Sequence, residues 1–431
     1  MASACHAYGA KVSIQLQHAG PEGSSALTGY PLKAASAIPA AVGRETPEAV
    51  SKEELYRIIE CYGDAARRAQ LAGIDMVEVH CAHGYLVSTF ISQRTNNRTD
   101  EFGGCFENRM RLPRLIIENI RKKTGGNLPI LCRINACDEV LGGQSVQDAA
   151  AVAAYLEQEC GVDALHVTRA VHLHDEFMWA PGITHGGFNA DLVTEIKRAV
   201  SVPVIIVGRF TEPQYAELLV KQGRCDLVAF GRQSIADPEL PNKARNNQLE
   251  TLAPCIGCLL GCVPNMFAGR PITCAVNPCV GRETEIVPAE TSKNVVVGGG
   301  MVGCEAAEFL AERGHEVSVI EMKDVIAADV TSESRRYMFE VFREHNVGLY
   351  PGAKVGQFYT DGVDYTLADG TPGSLRDFDS IVLAMGSRAN AALKETAEAV
   401  CTQVLVIGEA AKAPGNAVTA TTDALHAALQ V

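Results

Sequence analysis

At 431 residues, with 47% hydrophobic and 21% charged side chains, the chain has room for two or three well-buried domains of ordinary soluble composition. Its net charge of −13 is spread without long runs, which argues against nucleic acid as a partner, because phosphate binding needs a basic surface. No run of about 18 apolar residues marks a membrane span, the opening M-A-S-A-C-H lacks the apolar core of an export signal, and 15 cysteines in that setting point to a reducing cytoplasm and to thiolate ligands rather than disulfides.

The chain opens on a strand over 12–16, followed by a polar loop rich in Gly, Ser and Pro to about residue 46. Ser51 and Glu54 form a capping box for a helix that carries Leu55, Ile58, Ile59, Tyr62 and Ala66 on one face and stops at Gly73. An apolar strand over 74–79 ends at His80. The same alternation then repeats: a helix over 107–123 and a strand over 130–134; a helix opened by Ser145 and Asp148 and a strand over 164–167; a helix over 190–200 and a strand over 204–207; a helix capped by Thr211 and a strand over 227–230. Apolar strands separated by amphipathic helices predict parallel βαβ units. No glycine-rich fingerprint follows the first strand, where a doubly wound fold would carry one: the residues there are Gln17, His18, Ala19 and Gly20. Polar residues sit instead at the C-terminal ends of strands (Gln15, His80, Arg133, Arg209, Arg232), where barrel enzymes place their active sites. Six strands are found where a closed barrel needs eight, so the expected fold is a (β/α)8 TIM-type barrel, N-terminally incomplete, with its first two strands missing.

Gly208–Arg209 and Gly231–Arg232 close two successive strands. Barrels often bind phosphate at the loops after their last strands, where glycines let the backbone approach and arginines supply charge; turn glycines beside surface arginines are the plainer alternative. His172, His174, Asp175 and His185 lie on the long loop after the strand over 164–167 and are read as lining a pocket or facing solvent, with a metal site as a third alternative. Next come Cys255, Cys258, Cys262 and Cys274 in the spacing C-x2-C-x3-C-x11-C, among helix breakers that favour a ligand-wrapping loop. Iron–sulfur ligation and structural zinc are both open to four such thiolates; zinc more usually takes paired C-x2-C spacings. Cys279 falls outside the pattern. A short strand over 294–297 then runs into Gly298-Gly299-Gly300-Met301-Val302-Gly303, which satisfies G-x-G-x-x-G, and a helix, a strand over 316–320 and Glu321 follow. This is the context a dinucleotide fingerprint needs, with Gly298, Gly300 and Gly303 admitting pyrophosphate and Glu321 placed for ribose hydroxyls.

The segments V-E-V-H-C-A-H-G-Y-L from Val77 and N-N-R-T-D-E-F-G-G-C-F-E-N-R resemble the old yellow enzyme family of FMN-dependent oxidoreductases. With the cysteine set and the C-terminal fingerprint, nearly the whole chain resembles that family's iron–sulfur branch, which includes 2,4-dienoyl-CoA reductase, enoate reductase, trimethylamine dehydrogenase and the bile-acid NADH:flavin oxidoreductases. The resemblance implies three domains: an FMN-binding barrel over 1–250, a 4Fe-4S segment and linker over 251–290, and a truncated Rossmann-like NAD(H)/FAD-type domain over 291–431. It implies Gln15 and Arg133 at the flavin ring, and Gly208, Arg209, Gly231 and Arg232 at the FMN phosphate. His80 and His83 would hold the substrate's electron-withdrawing group, Tyr85 would be the proton donor, and the four cysteines would hold the cluster. Electrons in this branch pass from NADH to FAD, singly through the cluster to FMN, and then to substrate.

Two departures accompany the resemblance. The family's first two barrel strands would lie before Met1, and only one of its two nested dinucleotide fingerprints is found. The segment 383–386 and Val406-Ile407-Gly408-Glu409 resemble the close of the FAD half, with Glu409 where the usual acid is Asp, so FAD is implied by the family while its own fingerprint is missing. The expected activity is NADH-dependent reduction of an activated C=C bond in a small unsaturated substrate (enoate, enone or enoyl-CoA). The alternatives are an amine dehydrogenase, or a non-catalytic remnant completed by a partner. Two unpaired sheet edges need a cover, and assembly into a homo-oligomer is left open.

Overall fold

The computed structural model describes residues 1–284, 292–401, 403–413, 415 and 417–428. The chain divides into two compact units, Met1–Glu283 and Thr284–Val431. The cysteine segment therefore belongs to the first unit, while the boundary expected between residues 290 and 291 lies outside the described residues.

The first unit is built on six parallel strands: β1 Ser13–Leu16, β2 Met76–His80, β3 Ile130–Asn135, β4 Ala164–Thr168, β5 Val204–Val207 and β6 Leu227–Ala229. They lie side by side in chain order, the order in which the strands of a barrel follow one another and not that of a doubly wound sheet. The sheet is three-quarters of a TIM-type barrel, and its open edges are the exposed β1 and the half-exposed β6. The crossover helices are α1 Lys52–Leu71, α2 Leu86–Ile91, α3 Arg111–Thr124, α4 Val146–Gln158, α5 Ala190–Ala199 and α6 Pro213–Lys221.

α1 buries Leu55, Ile58, Ile59, Tyr62 and Ala66, the face expected from the 3.6-residue period. At its start the Ser51 hydroxyl accepts from the Glu54 backbone N–H at 3.2 Å; the Ser145–Asp148 pair at α4 completes a capping box. Two boundaries differ from expectation, both because of proline. The helix expected over 107–123 breaks at Met110 into Phe106–Arg109 and α3. Pro113 has no N–H for the carbonyl of Arg109, so a continuous helix would lose a bond there. Thr211 does not cap α6: Pro213 takes the first helical position, which makes Glu212 the capping residue, without a side-chain bond.

Alternation along the strands sorts their side chains. Val77, Val79, Ile130, Cys132, Ile134, Leu165, Val167, Val204 and Ile206 point outward into the helical layer and form one continuous core. Residues between them, Glu78, His80, Arg133, His166 and Thr168, share the opposite, inner face, where a barrel carries its chemistry.

The second unit has a parallel four-stranded sheet. Its strands are β7 Lys293–Val297, β8 Glu316–Ile320, β9 Gly348–Tyr350 and β13 Ser380–Leu383, in the order β9-β8-β7-β13, and an antiparallel meander (β10 Ala353–Tyr359, β11 Gly362–Leu367, β12 Pro372–Leu375) is inserted before β13. Helices α7 Met301–Ala311 and α8 Ser332–Glu344 pack on the sheet through Ala307, Ala311, Met338 and Phe342. This is one Rossmann-like unit. The run 403–407 forms no strand, and Gly408–Ala410 is a single 3-10 turn. Among the described residues no helix is long and apolar enough to cross a membrane.

Candidate functional site

Four successive strand-to-loop junctions at the barrel mouth carry a non-glycine residue in the left-handed region: His83 (φ 63°), Glu139 (58°), Ala170 (70°) and Arg209 (52°). Each costs on the order of 1–3 kcal/mol and persists only where its surroundings fix it, as at functional sites. His83 shows how. Its backbone N–H donates to Asn135 Oδ1 at 3.2 Å, and Asn135 Nδ2 donates to the buried Asp138 at 2.8 Å.

The predicted histidine pair is brought together, but turned on itself. His83 Nδ1 lies 3.1 Å from His80 Nε2, and His83 Nε2 lies 2.9 Å from Thr168 Oγ1. Both ring nitrogens of His83 are thus engaged inside the protein, while His80 Nδ1 is buried without a partner. Burial, reinforced by the Arg133 guanidinium, pushes His80 down to about 3 and holds His83 well below the usual imidazole range. Both rings are neutral at pH 7. An unfolded chain would protonate them below about pH 6.5, so their contribution to stability is whole above that pH and drains away as the pH falls toward the folded values. For His80 the loss is about 2 kcal/mol by pH 5. Tm should therefore drop between pH 7 and pH 5, and drop less in a His80→Asn, His83→Asn variant. An equal drop in both proteins would contradict the neutral pair.

Tyr85 is half-buried, with its ring 4.9 Å from that of His80. Its hydroxyl lies 2.9 Å from His172 Nε2, and His172 Nδ1 lies 3.2 Å from Asp175. Burial raises the Tyr85 phenol, which stays protonated at neutral pH. His172, read from the sequence as pocket wall, exposed residue or metal ligand, is thus the partner of the expected proton donor. His174 instead meets Glu176, and His185 Nδ1 lies 2.9 Å from the neighbouring Gly186 carbonyl.

A cavity of about 280 Å³ opens beside this group. Its lining includes Arg133, Thr168, Gly208, Arg209, Gly231 and Arg232. Arg133 Nε, Arg209 Nε and Arg232 Nη1 are all buried and unpartnered. Three guanidinium groups, each with an orphaned N–H around one cavity, describe a site made for an anion, since such groups are otherwise paired. Gly231 has open space where a Cβ would stand, leaving room for close approach to its backbone. Gln15, on exposed β1, reaches the inner face at Glu78, with Nε2 2.5 Å from Oε1.

Cys255 lines the same cavity. Its segment is fastened to the barrel by Cys255 N–H donating to Gln233 Oε1 (2.7 Å), Gly182 N–H to the Gly257 carbonyl (3.0 Å) and Asn277 Nδ2 to the Ile235 carbonyl (2.9 Å). Thr273 donates its N–H to the Gly261 carbonyl at 3.1 Å, which returns Cys274 beside Cys262. A Cβ at Gly261 would meet Thr273 and prevent this. Contrary to the expected loop, Val263–Phe267 forms a short helix within the segment. All four cysteines are free and half-exposed, and Cys255, Cys262 and Cys258 all act electrostatically on Arg232. Among the described residues no three His, Cys, Asp or Glu side chains converge as around a single ion. A 4Fe-4S cube asks for a wider spacing, because each thiolate binds a different iron.

In the second unit a Cβ at Gly303 would strike the Gly298 carbonyl, so only glycine lets α7 approach β7 this closely. Gly299 N–H donates to Glu321 at 2.6 Å, and Met301 N–H, at the start of α7, donates to both oxygens of Asp329 at 3.0 and 3.1 Å. Glu321 also accepts from Lys323 N–H at 2.9 Å. The donors that favour pyrophosphate are thus held by carboxylates of the chain itself, Asp329 among them unforeseen. Glu409 accepts from Gly415 N–H at 3.1 Å, and Gly408 N–H donates to Asp423 at 3.0 Å. A second glycine-rich strand–turn–helix is absent among the described residues, so no step is assigned to FAD.

The family model for the NADH:flavin oxidoreductase / NADH oxidase family matches residues 1–251, and that for pyridine nucleotide-disulphide oxidoreductase matches residues 269–420. The NADH oxidase of Thermoanaerobacter brockii is 40% identical over 329 residues, 75% of this chain and 50% of that protein. The cinnamate reductase of Clostridium sporogenes is 32% identical over 351 residues, 77% of this chain and 52% of that protein. The chain thus spans about half the length of the curated relatives it matches. Among solved structures, histamine dehydrogenase from Rhizobium sp. 4-9 is similar in fold over 100% of this chain and 85% of its own, with a TM-score of 0.71 at 21% identity. The 2-naphthoyl-CoA reductase complex is similar over 98% and 85%, with a TM-score of 0.64 at 23% identity.

Proposed function

Because the chain belongs to the NADH:flavin oxidoreductase / NADH oxidase family, we propose that its barrel binds FMN and reduces an activated C=C bond of a small unsaturated acid, ketone or thioester. The observation that carries this is the cavity with three orphaned guanidinium groups beside a neutral histidine pair and a protonated tyrosine. Arg209 and Arg232, with the backbone at Gly208 and Gly231, would hold the phosphate. Gln15 and Arg133 would hold the ring, where a fixed guanidinium favours the anionic reduced form. FMN, if bound there, would supply hydride chemistry. Cys255, Cys258, Cys262 and Cys274 would hold a 4Fe-4S cluster, which supplies one-electron transfer, and Gly298, Gly300, Gly303 and Glu321 would hold NAD(H).

The remaining chemistry belongs to the side chains. A neutral imidazole can donate a hydrogen bond to a carbonyl, so His80, whose Nδ1 has no partner in the protein, is suited to polarise it as negative charge builds on its oxygen, while His83, engaged at both ring nitrogens, holds the His80 ring in place. Tyr85 holds the proton on its phenol oxygen and delivers it to the α-carbon. With Asp175 accepting from His172 Nδ1, the neutral ring presents its Nε2 lone pair to the Tyr85 hydroxyl and accepts from it; after Tyr85 has given up its proton, a proton taken up from solvent at Nε2, with Asp175 stabilising the imidazolium, passes to the phenolate and restores it. Trp179, Phe177 and Phe188 give the cavity an aromatic wall.

A titration with flavins tests the phosphate cradle. FMN is expected to bind about tenfold or more tightly than riboflavin, one charge-assisted phosphate contact being enough for that ratio. The difference should close in Arg209→Ala or Arg232→Ala. Equal affinity for the two flavins in the unaltered chain would contradict the assignment.

A further inference from the structure

The inner face holds one buried carboxylate that the mechanism above leaves unused. Glu78 stands directly across from Gln15 in the sheet, and His80, two residues on, stands across from Arg133, which itself stands across from His166. Only 8% of Glu78 is exposed. One of its oxygens accepts from Gln15 Nε2 at 2.5 Å and the other lies 2.8 Å from His166 Nδ1. A carboxylate taken this far out of water is retained only if charge and hydrogen bonds compensate it. Here Gln15, His166 and the nearby Arg133 guanidinium do so, and they hold its carboxyl below the usual carboxylate range although burial alone would push it up.

We infer that Glu78 is a positioning residue: it fixes the orientation of the Gln15 amide toward the flavin ring and offsets the charge of Arg133, and so sets both the affinity and the reduction potential of the bound flavin. This rests on the flavin reading above. A flipped Gln15 would set its oxygen against a carboxylate oxygen, two acceptors face to face. With Nε2 held by Glu78, Gln15 presents its oxygen and a second N–H side by side. That pair complements an edge bearing one N–H and one carbonyl, as on the pyrimidine ring of a flavin. Arg133 is a buried cation with an unpartnered N–H, and the Glu78 carboxylate is the neighbouring charge that most favours its charged form. With Glu78 ionised, its negative charge offsets part of that of Arg133. With Glu78 neutral, the full charge of Arg133 acts on the ring and favours its reduced, anionic form.

The test is a pair of measurements on the FMN-loaded chain: midpoint potential by anaerobic dye equilibration, and FMN dissociation constant by fluorescence. Glu78→Gln is expected to raise the potential by at least 30 mV, a tenfold shift of a two-electron equilibrium, and to weaken FMN binding. Glu78→Asp keeps the charge but shortens the reach, so it should weaken binding with the potential close to that of the unaltered chain. Gln15→Leu, at the exposed edge of the sheet, should weaken binding too, and Glu78→Gln should add little further loss of affinity on top of it. An unchanged or lowered potential in Glu78→Gln overturns the charge role, and additive losses in the double variant overturn the positioning role. If Glu78→Gln does not fold, Glu78→Asp and Gln15→Leu decide: unchanged affinity in both overturns the inference. An unaltered chain that takes up no FMN overturns the flavin reading itself, whereas the outcomes above leave that reading standing.

Discussion

Replacing Tyr85 with phenylalanine is expected to slow reoxidation of the reduced flavin by an unsaturated acceptor by about 10²–10⁴-fold, the usual contribution of a positioned general acid. The substitution deletes one oxygen. That oxygen lies 2.9 Å from His172 Nε2, and its ring contacts His80 and His172 edge-on or tilted, so the ring packing survives its removal. What is lost is the proton held at the mouth. The carbanion left by hydride addition would then have to collect its proton from water, a donor that is not held in position. Reduction of the flavin itself involves no proton from Tyr85 and should proceed at its original rate. His172→Asn should give a smaller loss, because it leaves the donor in place and removes only its resupply from the Asp175 side. Equal acceptor rates in Tyr85→Phe and the unaltered chain would remove Tyr85 from the reaction.

The second large effect concerns the cysteines. Alanine at any one of Cys255, Cys258, Cys262 or Cys274 is expected to take iron and acid-labile sulfide from about four per chain to near zero, since a 4Fe-4S cluster needs its thiolates together. None of the four contributes to the hydrophobic core of the barrel, so circular dichroism and Tm should change little. Cys279→Ala is the control. Cys279 is half-exposed in the same segment, its N–H caps onto Asn277, and its loss should leave the iron content as it was. A chain that binds one zinc in place of iron would contradict the cluster assignment. So would iron retained in all four variants.

How much of this was legible beforehand depends on the range over which each feature is determined. The barrel strands and the apolar face of α1 follow from local periodicity, and they appear where the spacing puts them. Helix ends were read less well at Met110 and Thr211, where proline chemistry overrode propensity. The polar inner row was visible in principle as alternation in V-E-V-H, L-C-R-I-N and L-H-V-T, but reading these runs as continuously apolar hid Glu78 and His166. The Tyr85–His172 contact joins residues 87 apart in sequence, and no local signal announces it. The same holds for Asp329, which reaches the start of α7 from 28 residues away. The closing turn at Gly408–Glu409 carried the resemblance of a flavin-binding segment, yet in the structure both residues bond to nearby chain.

The most direct test of the account is to load the barrel with FMN, reduce it anaerobically with light, and mix it with an α,β-unsaturated acid or, separately, with its saturated counterpart. Flavin absorbance is expected to return with the unsaturated acid, at a rate that rises with its concentration, and not with the saturated one. A reduced flavin that persists in both mixtures, or an oxidised flavin that is instead bleached by an amine, would contradict it.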